Sequence, residues 1–225
     1  WIHTKINNVL KSLVDLKNIK ENNSSIKALA YQLYENNGVL KREQVSEYLK
    51  NLEQNERKIL REIGVKFGRY HVFLHQLIKP EPVSLRTLLW KNFHQKFHNL
   101  KPPTFGLNFL NDKQIKNKNF MLLCGFEKFD NFYVRIDILE RLFVLIINSS
   151  SKENSEIKLV PEMLNLLGCS KDNFKKLLQR MNYKIFEKEN ETFFKYNPSK
   201  KFKKINTKKI SNENPFKILK DLNLS

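Results

Sequence analysis

The sequence predicts a mainly α-helical protein with small β elements: a helical N-terminal subdomain, then a winged-helix-like module and a disordered basic tail. Three observations indicate this fold class. Apolar residues recur at helical spacing through residues 2–63. Signals for helix, strand, helix, turn, helix and hairpin follow in order within residues 120–196. Residues 197–225 are rich in lysine and poor in apolar side chains.

The first segment, residues 1–64, is predicted to be a series of helices. Its first apolar stripe consists of Ile2, Ile6, Val9, Leu10, Leu13 and Leu16. Ser24 or Ser25 is suited to cap the next helix, and Gly38 is suited to end it. Two further helices are expected over residues 45–52 and 59–63, with Gly64 after the last one.

Residues 65–119 are expected to form a basic segment with one strand, one helix and a linker. Gly64 and Gly68 bracket a turn ahead of a β-prone run at residues 70–74. Pro80 and Pro82 favour a helix start. The apolar face that we expect this helix to bury includes Leu85, Leu88 and Leu89. An Asn- and Lys-rich linker then runs to about residue 119.

Residues 120–196 carry the element order of a winged helix. The predicted elements are a strand at 132–136, a helix at 138–146, a strand at 157–160, helices at 161–167 and 171–181, and strands at 183–188 and 191–196. Ser170 is the expected N-cap of the third helix, and the last two strands are expected to meet as a hairpin at Asn190.

Composition excludes several classes of protein. Hydrophobic residues make up 40% of the 225 residues, which favours a folded core over wholesale disorder. The longest apolar run, residues 142–147, is far shorter than the roughly 18 residues of a membrane span, and we expect no membrane partner. Two cysteines disfavour a disulfide framework and favour a cytoplasmic location. Because Trp1 stands where a start Met is usual, we expect a piece of a longer protein.

The net charge of +18 indicates a polyanionic partner. Residues 120–196 hold 12 cationic and 11 acidic residues, whereas residues 1–119 hold 21 and 10. An alternative is compositional drift in an A/T-rich genome, since the chain has 27 Asn and many Lys and Ile residues. Drift alone would spread the charge evenly, so the near-neutral module indicates that part of the charge is organised.

Cations and aromatic rings alternate between Gly64 and Lys101. The cations are Lys66, Arg69, Lys79, Arg86, Lys91, Lys96 and Lys101, and the rings are Phe67, Tyr70, Phe73, Trp90, Phe93 and Phe97. Cations contact phosphates and flat rings stack on bases, so this mixture is typical of single-stranded nucleic-acid binding. The alternative is that the rings belong to the core and the lysines to a solvated rim.

The third helix of the winged-helix-like module offers a second set of candidate contacts, namely Lys175, Lys176 and Arg180. Because that module is almost neutral, packing is its favoured role. His71 with His75, and His94 with His98, are spaced four apart, but the first pair falls in a strand and no acid flanks the second, so we expect no metal site. The sequence contains no phosphate-binding loop, dinucleotide fingerprint or serine nucleophile elbow, so we expect no cofactor and no catalytic residue in this chain.

Several motifs resemble those of a known family. They are LREIGVKFGRYHVFL at residues 60–74, LIKP at 77–80, LRTLLW at 85–90, YVRIDILERL at 133–142 and PEMLNLLGC at 161–169. Together they resemble the C-terminal accessory region of bacterial DExH-type superfamily 2 helicases related to the mitochondrial RNA-degradosome helicase. The resemblance covers roughly residues 25–196. His75 stands where the family pattern has Pro, and Lys66 stands where it has Arg.

The resemblance implies an accessory region behind an ATP-driven motor. ATP and Mg²⁺ would bind the motor domains, which would lie upstream of Trp1 and would be partners of this region. This chain would then bind single-stranded RNA or DNA without hydrolysing ATP, and Lys79 and Arg86 would fall on family motif positions. Two alternatives remain open: a stand-alone winged-helix nucleic-acid-binding protein without enzymatic activity, and a structural scaffold whose charge is drift.

Overall fold

A computed structural model describes residues 2–20, 24–111, 117–149 and 156–197. Over these ranges the chain is mainly helical and contains three small three-stranded antiparallel sheets. The predicted fold class is confirmed. The predicted basic tail begins at residue 197, and its residues 198–225 lie outside the described ranges.

The N-terminal helices form where apolar residues repeat at helical spacing. They are α1 Ile2–Val9, α2 Lys11–Lys17, α3 Ser24–Glu35, α4 Ser46–Asn51 and α5 Gln54–Ile63. Ile26, Leu29 and Leu33 of α3 are fully buried in the core that these helices share. Gly64 ends α5 in the left-handed conformation, with a φ of 105°, and its N–H donates to the carbonyl of Arg61.

The first sheet lies against this helical core. Its strands are β1 Val39–Lys41, β2 Val65–Phe67 and β3 His71–Leu74, in the order β1-β3-β2. β3 confirms the predicted strand. β1 was not predicted, because a strand of three residues is too short to show a periodic pattern. This sheet takes strands from both sides of residue 64.

Helix α6, Pro80–Phe93, begins at the predicted proline. Its buried side differs from the predicted one. Val83, Arg86 and Thr87 are buried, whereas Leu88 and Leu89 are 52% and 40% exposed. A tertiary contact explains this difference. The Arg86 guanidinium donates hydrogen bonds to the backbone carbonyl groups of Asn37 and Leu77, and these bonds turn the Arg86 side of the helix toward the core.

The second sheet falls partly in the predicted linker. Its strands are β4 Phe109–Asn111, β5 Phe126–Phe129 and β6 Phe132–Arg135, in the order β4-β6-β5, and α7 Lys118–Leu123 lies between the first two in sequence. Phe109 pairs with Val134 across the sheet. Only this long-range pairing makes residues 109–111 a strand, so local sequence could not reveal it.

The winged-helix arrangement comes last. It consists of α8 Ile136–Ser149, β7 Glu156–Lys158, α9 Pro161–Leu167, α10 Lys171–Arg180, β8 Tyr183–Lys188 and β9 Glu191–Tyr196. The sheet order is β7-β9-β8, with Ile157 opposite Phe194 and Phe194 opposite Ile185. The Ser170 hydroxyl accepts the N–H of Asn173 at 3.3 Å, which confirms the predicted N-cap.

Every helix in the described ranges is either too short or too polar to cross a membrane.

Candidate nucleic-acid interface

The turn between β2 and β3 is held by one carboxylate from α8. The backbone N–H groups of Arg69, Tyr70 and His71 all donate to the Glu140 carboxylate, those of Tyr70 and His71 at 2.8 and 2.9 Å. On the other side of the turn, the Arg42 guanidinium donates to the carbonyl of Gly68 at 2.7 Å. Converging N–H groups of this kind form a natural anion-binding concavity. The turn that carries Arg69 is therefore fixed in place by two other parts of the chain.

Gly68 allows Glu140 to approach this closely. A Cβ atom at position 68 would lie 2.6 Å from each of the two carboxylate oxygens of Glu140. Heavy atoms do not approach to that distance without a hydrogen bond, so any other residue would push the carboxylate away from the turn. The requirement for glycine is steric, and it depends on a residue 72 positions further along the chain.

A buried polar cluster lies beneath the turn. His71 Nε2 is 3.1 Å from Glu127 Oε2, and Lys41 Nζ is 2.8 Å from Glu127 Oε1. His71 Nδ1 also faces Glu140 at 3.7 Å. Burial lowers the pKa of His71, but its hydrogen bond to Glu127 and the negative charge of both carboxylates outweigh this and raise that pKa above its ordinary value. Burial likewise opposes ionisation of Glu127, yet His71 and Lys41 hold its pKa below the usual range.

A groove of about 960 Å³ opens between this turn and α8; we call it the first groove. Its lining includes the cations Arg42, Lys66, Arg69 and Arg141 and the rings of Phe67 and Phe143. Lys66, Arg69 and Arg141 are exposed, and none of the three forms an ion pair with another described residue. The first groove therefore presents exposed cations beside flat rings.

Ring contacts fix the arginine beside α8. The Arg69 guanidinium lies 5.7 Å from the centre of the Phe143 ring, and Arg61 lies 5.6 Å from that of Phe67. A guanidinium over an aromatic face is attracted by the ring and keeps its donors free at the edge. Arg69 can therefore donate to a phosphate while it rests on Phe143.

Two of the three acids in the first groove are occupied by local donors. Asp137 accepts two hydrogen bonds from Arg135, at 2.7 and 3.0 Å. Glu140 accepts the three N–H groups of the turn. The third acid, Glu162, is exposed on α9. Repulsion of a phosphate by the first two carboxylates is therefore reduced, because their charge is already engaged.

The predicted cations of residues 64–101 lie in different parts of the structure. Lys66 and Arg69 line the first groove. Lys79 is exposed at the N-cap of α6, and Lys91 is partly exposed near the C-terminal end of that helix, about 18 Å further along its axis. These two lysines are not lining residues of the first groove.

Arg86 is buried and stabilises the fold through hydrogen bonds to backbone carbonyl groups. It is 3% exposed, and its guanidinium donates to the carbonyl of Asn37 at 2.6 Å and to that of Leu77. Burial lowers the pKa of Arg86 to about 10. A side chain enclosed in this way cannot reach a phosphate, so the predicted role of Arg86 in nucleic-acid contact does not agree with its placement.

Most predicted stacking rings also pack inward. Tyr70 is half-buried, its ring meets Phe143 edge-on at 5.7 Å, and its pKa is raised chiefly by burial. Phe73 is buried. Trp90 stacks on Phe97 at 5.5 Å and reaches the core at Phe120. Phe67 is the ring of that set that lines the first groove at partial exposure.

The predicted contacts on α10 are engaged by neighbouring acids. Lys175 pairs with Glu187 of β8 at 2.8 Å, and the pKa of that carboxyl is lowered by this lysine. Arg180 pairs with Asp130 at 2.7 Å. Lys176 is exposed. The three side chains therefore do not form one free basic face.

The histidines of the two pairs spaced four residues apart lie in different surroundings. His71 belongs to the buried carboxylate cluster, while His75 is exposed. His94 packs on Trp90 at 4.4 Å. Among the described residues, no three His, Cys, Asp or Glu side chains gather as metal ligands.

Four residues that build the first groove were not predicted from the sequence, namely Arg42, Glu140, Arg141 and Phe143. Glu140 and Arg141 do stand in the YVRIDILERL motif at residues 133–142, which resembles the helicase family but carries no local sign of a binding role. Arg42 follows β1 directly, and its significance depends on a strand that local pattern could not reveal.

Comparisons of this chain with protein-family models, with curated proteins and with solved structures give no significant match.

Proposed function

We propose that this chain binds single-stranded RNA or DNA as the C-terminal accessory region of an ATP-dependent superfamily 2 helicase. The observation that carries the binding is the first groove, in which four cations from three parts of the chain meet two rings. The connection to an ATP-driven motor rests on the sequence motifs alone.

The groove fits an unpaired strand better than a duplex. Its lining combines cations and rings with exposed apolar side chains of α8, where Val144 and Ile147 are 56% and 50% exposed. A duplex presents phosphates but keeps its bases stacked inside, so it would leave these apolar surfaces unused. An unpaired strand can place phosphates on Arg69 and Lys66 and bases on the apolar side chains.

The stand-alone winged-helix alternative has less support. A winged helix that reads DNA needs free cations on its third helix. On α10, Lys175 is paired with Glu187, and Arg180 lines a groove together with Arg42 and Arg69 of the N-terminal part of the chain. The hairpin is similarly engaged, because Lys188 pairs with Glu156 and Lys158 with Glu191.

The test is a titration of the full chain against a fluorescent single-stranded 20-mer of uridine or thymidine at several salt concentrations. The variant combines Lys66→Gln and Arg69→Gln, which remove two cations of the first groove. We expect at least a tenfold loss of affinity, and a salt slope shallower by about 0.7 for each phosphate that the variant no longer neutralises.

The matched control combines Lys27→Gln and Lys50→Gln, which remove two exposed lysines of α3 and α4. If charge drift explains the binding, both double variants will lose affinity equally. That result would overturn the proposed site, because it would show that total charge and not the groove attracts the strand.

A further inference from the structure

A second groove continues from the first on the other side of the turn. Its volume is about 480 Å³, and it shares Arg42 and Arg69 with the first groove. The other wall belongs to the winged-helix arrangement, which contributes Arg180, Asn182 and Tyr196. Arg69 therefore stands where the two grooves meet.

The second groove has the chemistry of a phosphate path. Lys41, Arg42, Arg69 and Arg180 reach it from four different elements or turns. Its acids are Glu43 and Glu127. Lys41 and His71 engage Glu127, so Arg42, Arg69 and Arg180 are the lining cations that remain for a phosphate. The positive charge of the first groove thus continues toward β9.

We propose that a bound strand passes Arg69 and enters the second groove, where Arg180 and Tyr196 of the winged-helix arrangement contact it. This inference rests on the proposed function and assigns the winged-helix arrangement a direct role in strand binding. That role differs from the insertion of α10 into a groove of duplex DNA, because the contacts come from the C-terminal end of α10 and from the end of β9.

The ion pair of Arg180 does not prevent such a contact. Its two side chains are 59% and 48% exposed, and ion pairs that are this exposed are weak because solvent screens them. A backbone phosphodiester offers a guanidinium two oxygen acceptors and one negative charge, as the Asp130 carboxylate does, so it can take the place of that carboxylate. Arg180 can therefore exchange its carboxylate partner for a phosphate.

Tyr196 provides a ring at the same end of the groove. It is 44% exposed, and its ring meets Tyr183 edge-on at 5.4 Å. Tyr183 is buried in the core of the winged-helix arrangement, so Tyr196 is held by a fixed support. A supported and exposed ring is suited to stack on one base.

The experiment measures affinity against strand length, with full-length chain and labelled oligouridine of about 4 to about 16 nucleotides. For the unchanged chain, we expect affinity to rise with length until a strand fills both grooves. Arg180→Gln and Tyr196→Leu should lose affinity roughly tenfold for the longest strand and less than twofold for the shortest. Arg180→Lys, which keeps the charge, should recover part of the loss.

Lys175→Gln is the matched control, because it removes a cation from the same helix outside the second groove. Thermal unfolding of each variant shows whether it is folded. An equal loss at all lengths, or no loss at any length, would overturn the inference while leaving the proposed function intact. If even the unchanged chain bound no strand, both would fail.

Discussion

At the scale of single residues, Gly68 shows how the absence of a Cβ atom positions the turn that carries Arg69. The Glu140 carboxylate fills the space that a Cβ at this position would need, and it accepts the N–H groups of Arg69, Tyr70 and His71. The placement of Arg69 in both grooves therefore depends on an acid that never has to touch the strand.

Gly68→Ala tests this dependence. We expect it to lower the free energy of unfolding by about 1 kcal/mol, because the displaced carboxylate leaves the partly buried N–H groups of Tyr70 and His71 without an acceptor. Strand affinity should fall as well, since Arg69 loses its fixed position. Urea unfolding and oligonucleotide titration measure the two effects.

Adding Glu140→Asp to Gly68→Ala should recover part of the lost stability, because the shorter side chain draws its carboxylate back from the new Cβ. If the double variant is the sum of two independent losses, the two residues do not share this contact.

His71 links protonation to the stability of the same turn. It faces Glu127 of β5, Glu140 of α8 and, through Glu127, Lys41 of β1. Its pKa is raised by the two carboxylates against the opposing effect of burial. A group whose pKa is higher in the folded state stabilises that state fully below its unfolded pKa, and this contribution is lost as the pH rises through the folded pKa.

We expect the stability difference between the unchanged chain and His71→Gln to be largest between about pH 4.5 and 6.5 and to shrink above pH 6.5. The lower limit comes from Glu127, the partner of His71. The pKa of Glu127 is lowered from 4.5 in the folded protein, so its contribution to stability is complete above pH 4.5 and is lost as the pH falls through the lowered pKa. Urea unfolding at a series of pH values measures the difference. His98→Gln, at an exposed position, serves as the control, and an identical pH profile for both variants would contradict the prediction.

At the scale of elements, the terminal hairpin combines a strong strand pattern with a strained turn. β8 and β9 pair from Tyr183 with Tyr196 to Lys188 with Glu191. The two turn residues, Glu189 and Asn190, have φ angles of 51° and 63°. Such a turn suits Asn and Gly, but a glutamate is disfavoured in the left-handed region.

Glu189→Asn should therefore stabilise the protein by about 0.5 kcal/mol, measured as a higher midpoint of urea unfolding. Glu189→Gln is the control, because it removes the same charge while keeping a side chain that does not favour the turn. If the two variants were equally stable, the gain would come from charge and not from backbone conformation.

Elements differ in how far the sequence could predict them. The hairpin and helices α9 and α10 were predicted almost to the residue, because they have strong apolar patterns and terminal signals such as Ser170 and Gly168. β1, β2, β4, β5 and α7 were missed, because each has only three to six residues, too few to show a periodic pattern. The prediction of which side of α6 is buried was wrong. The hydrogen bonds that Arg86 donates to the carbonyl groups of Asn37 and Leu77 outweigh the pattern of leucines along the helix.

At the scale of the whole molecule, the candidate site belongs to no single segment. The first groove takes Arg42 from beside β1, Lys66 and Arg69 from the β2–β3 hairpin, and Arg141 from α8. The almost neutral net charge of residues 120–196 conceals this, because Arg141 and Arg180 face the basic segment while many other charges of that module pair with each other. Local net charge is therefore a poor guide to where a polyanion would bind.

The sequence alone determined the helical character and the winged-helix order, and it pointed to Lys66 and Arg69, two cations that line the first groove. These properties follow from periodicity, end signals and residue type, which act over a few neighbouring residues. Tertiary structure decided that Arg86 is enclosed, that Glu140 anchors the turn at Gly68, and that Arg42 and Arg141 stand beside Arg69. Those facts depend on contacts between residues far apart in the chain, and only the packing of helices and sheets brings such residues together.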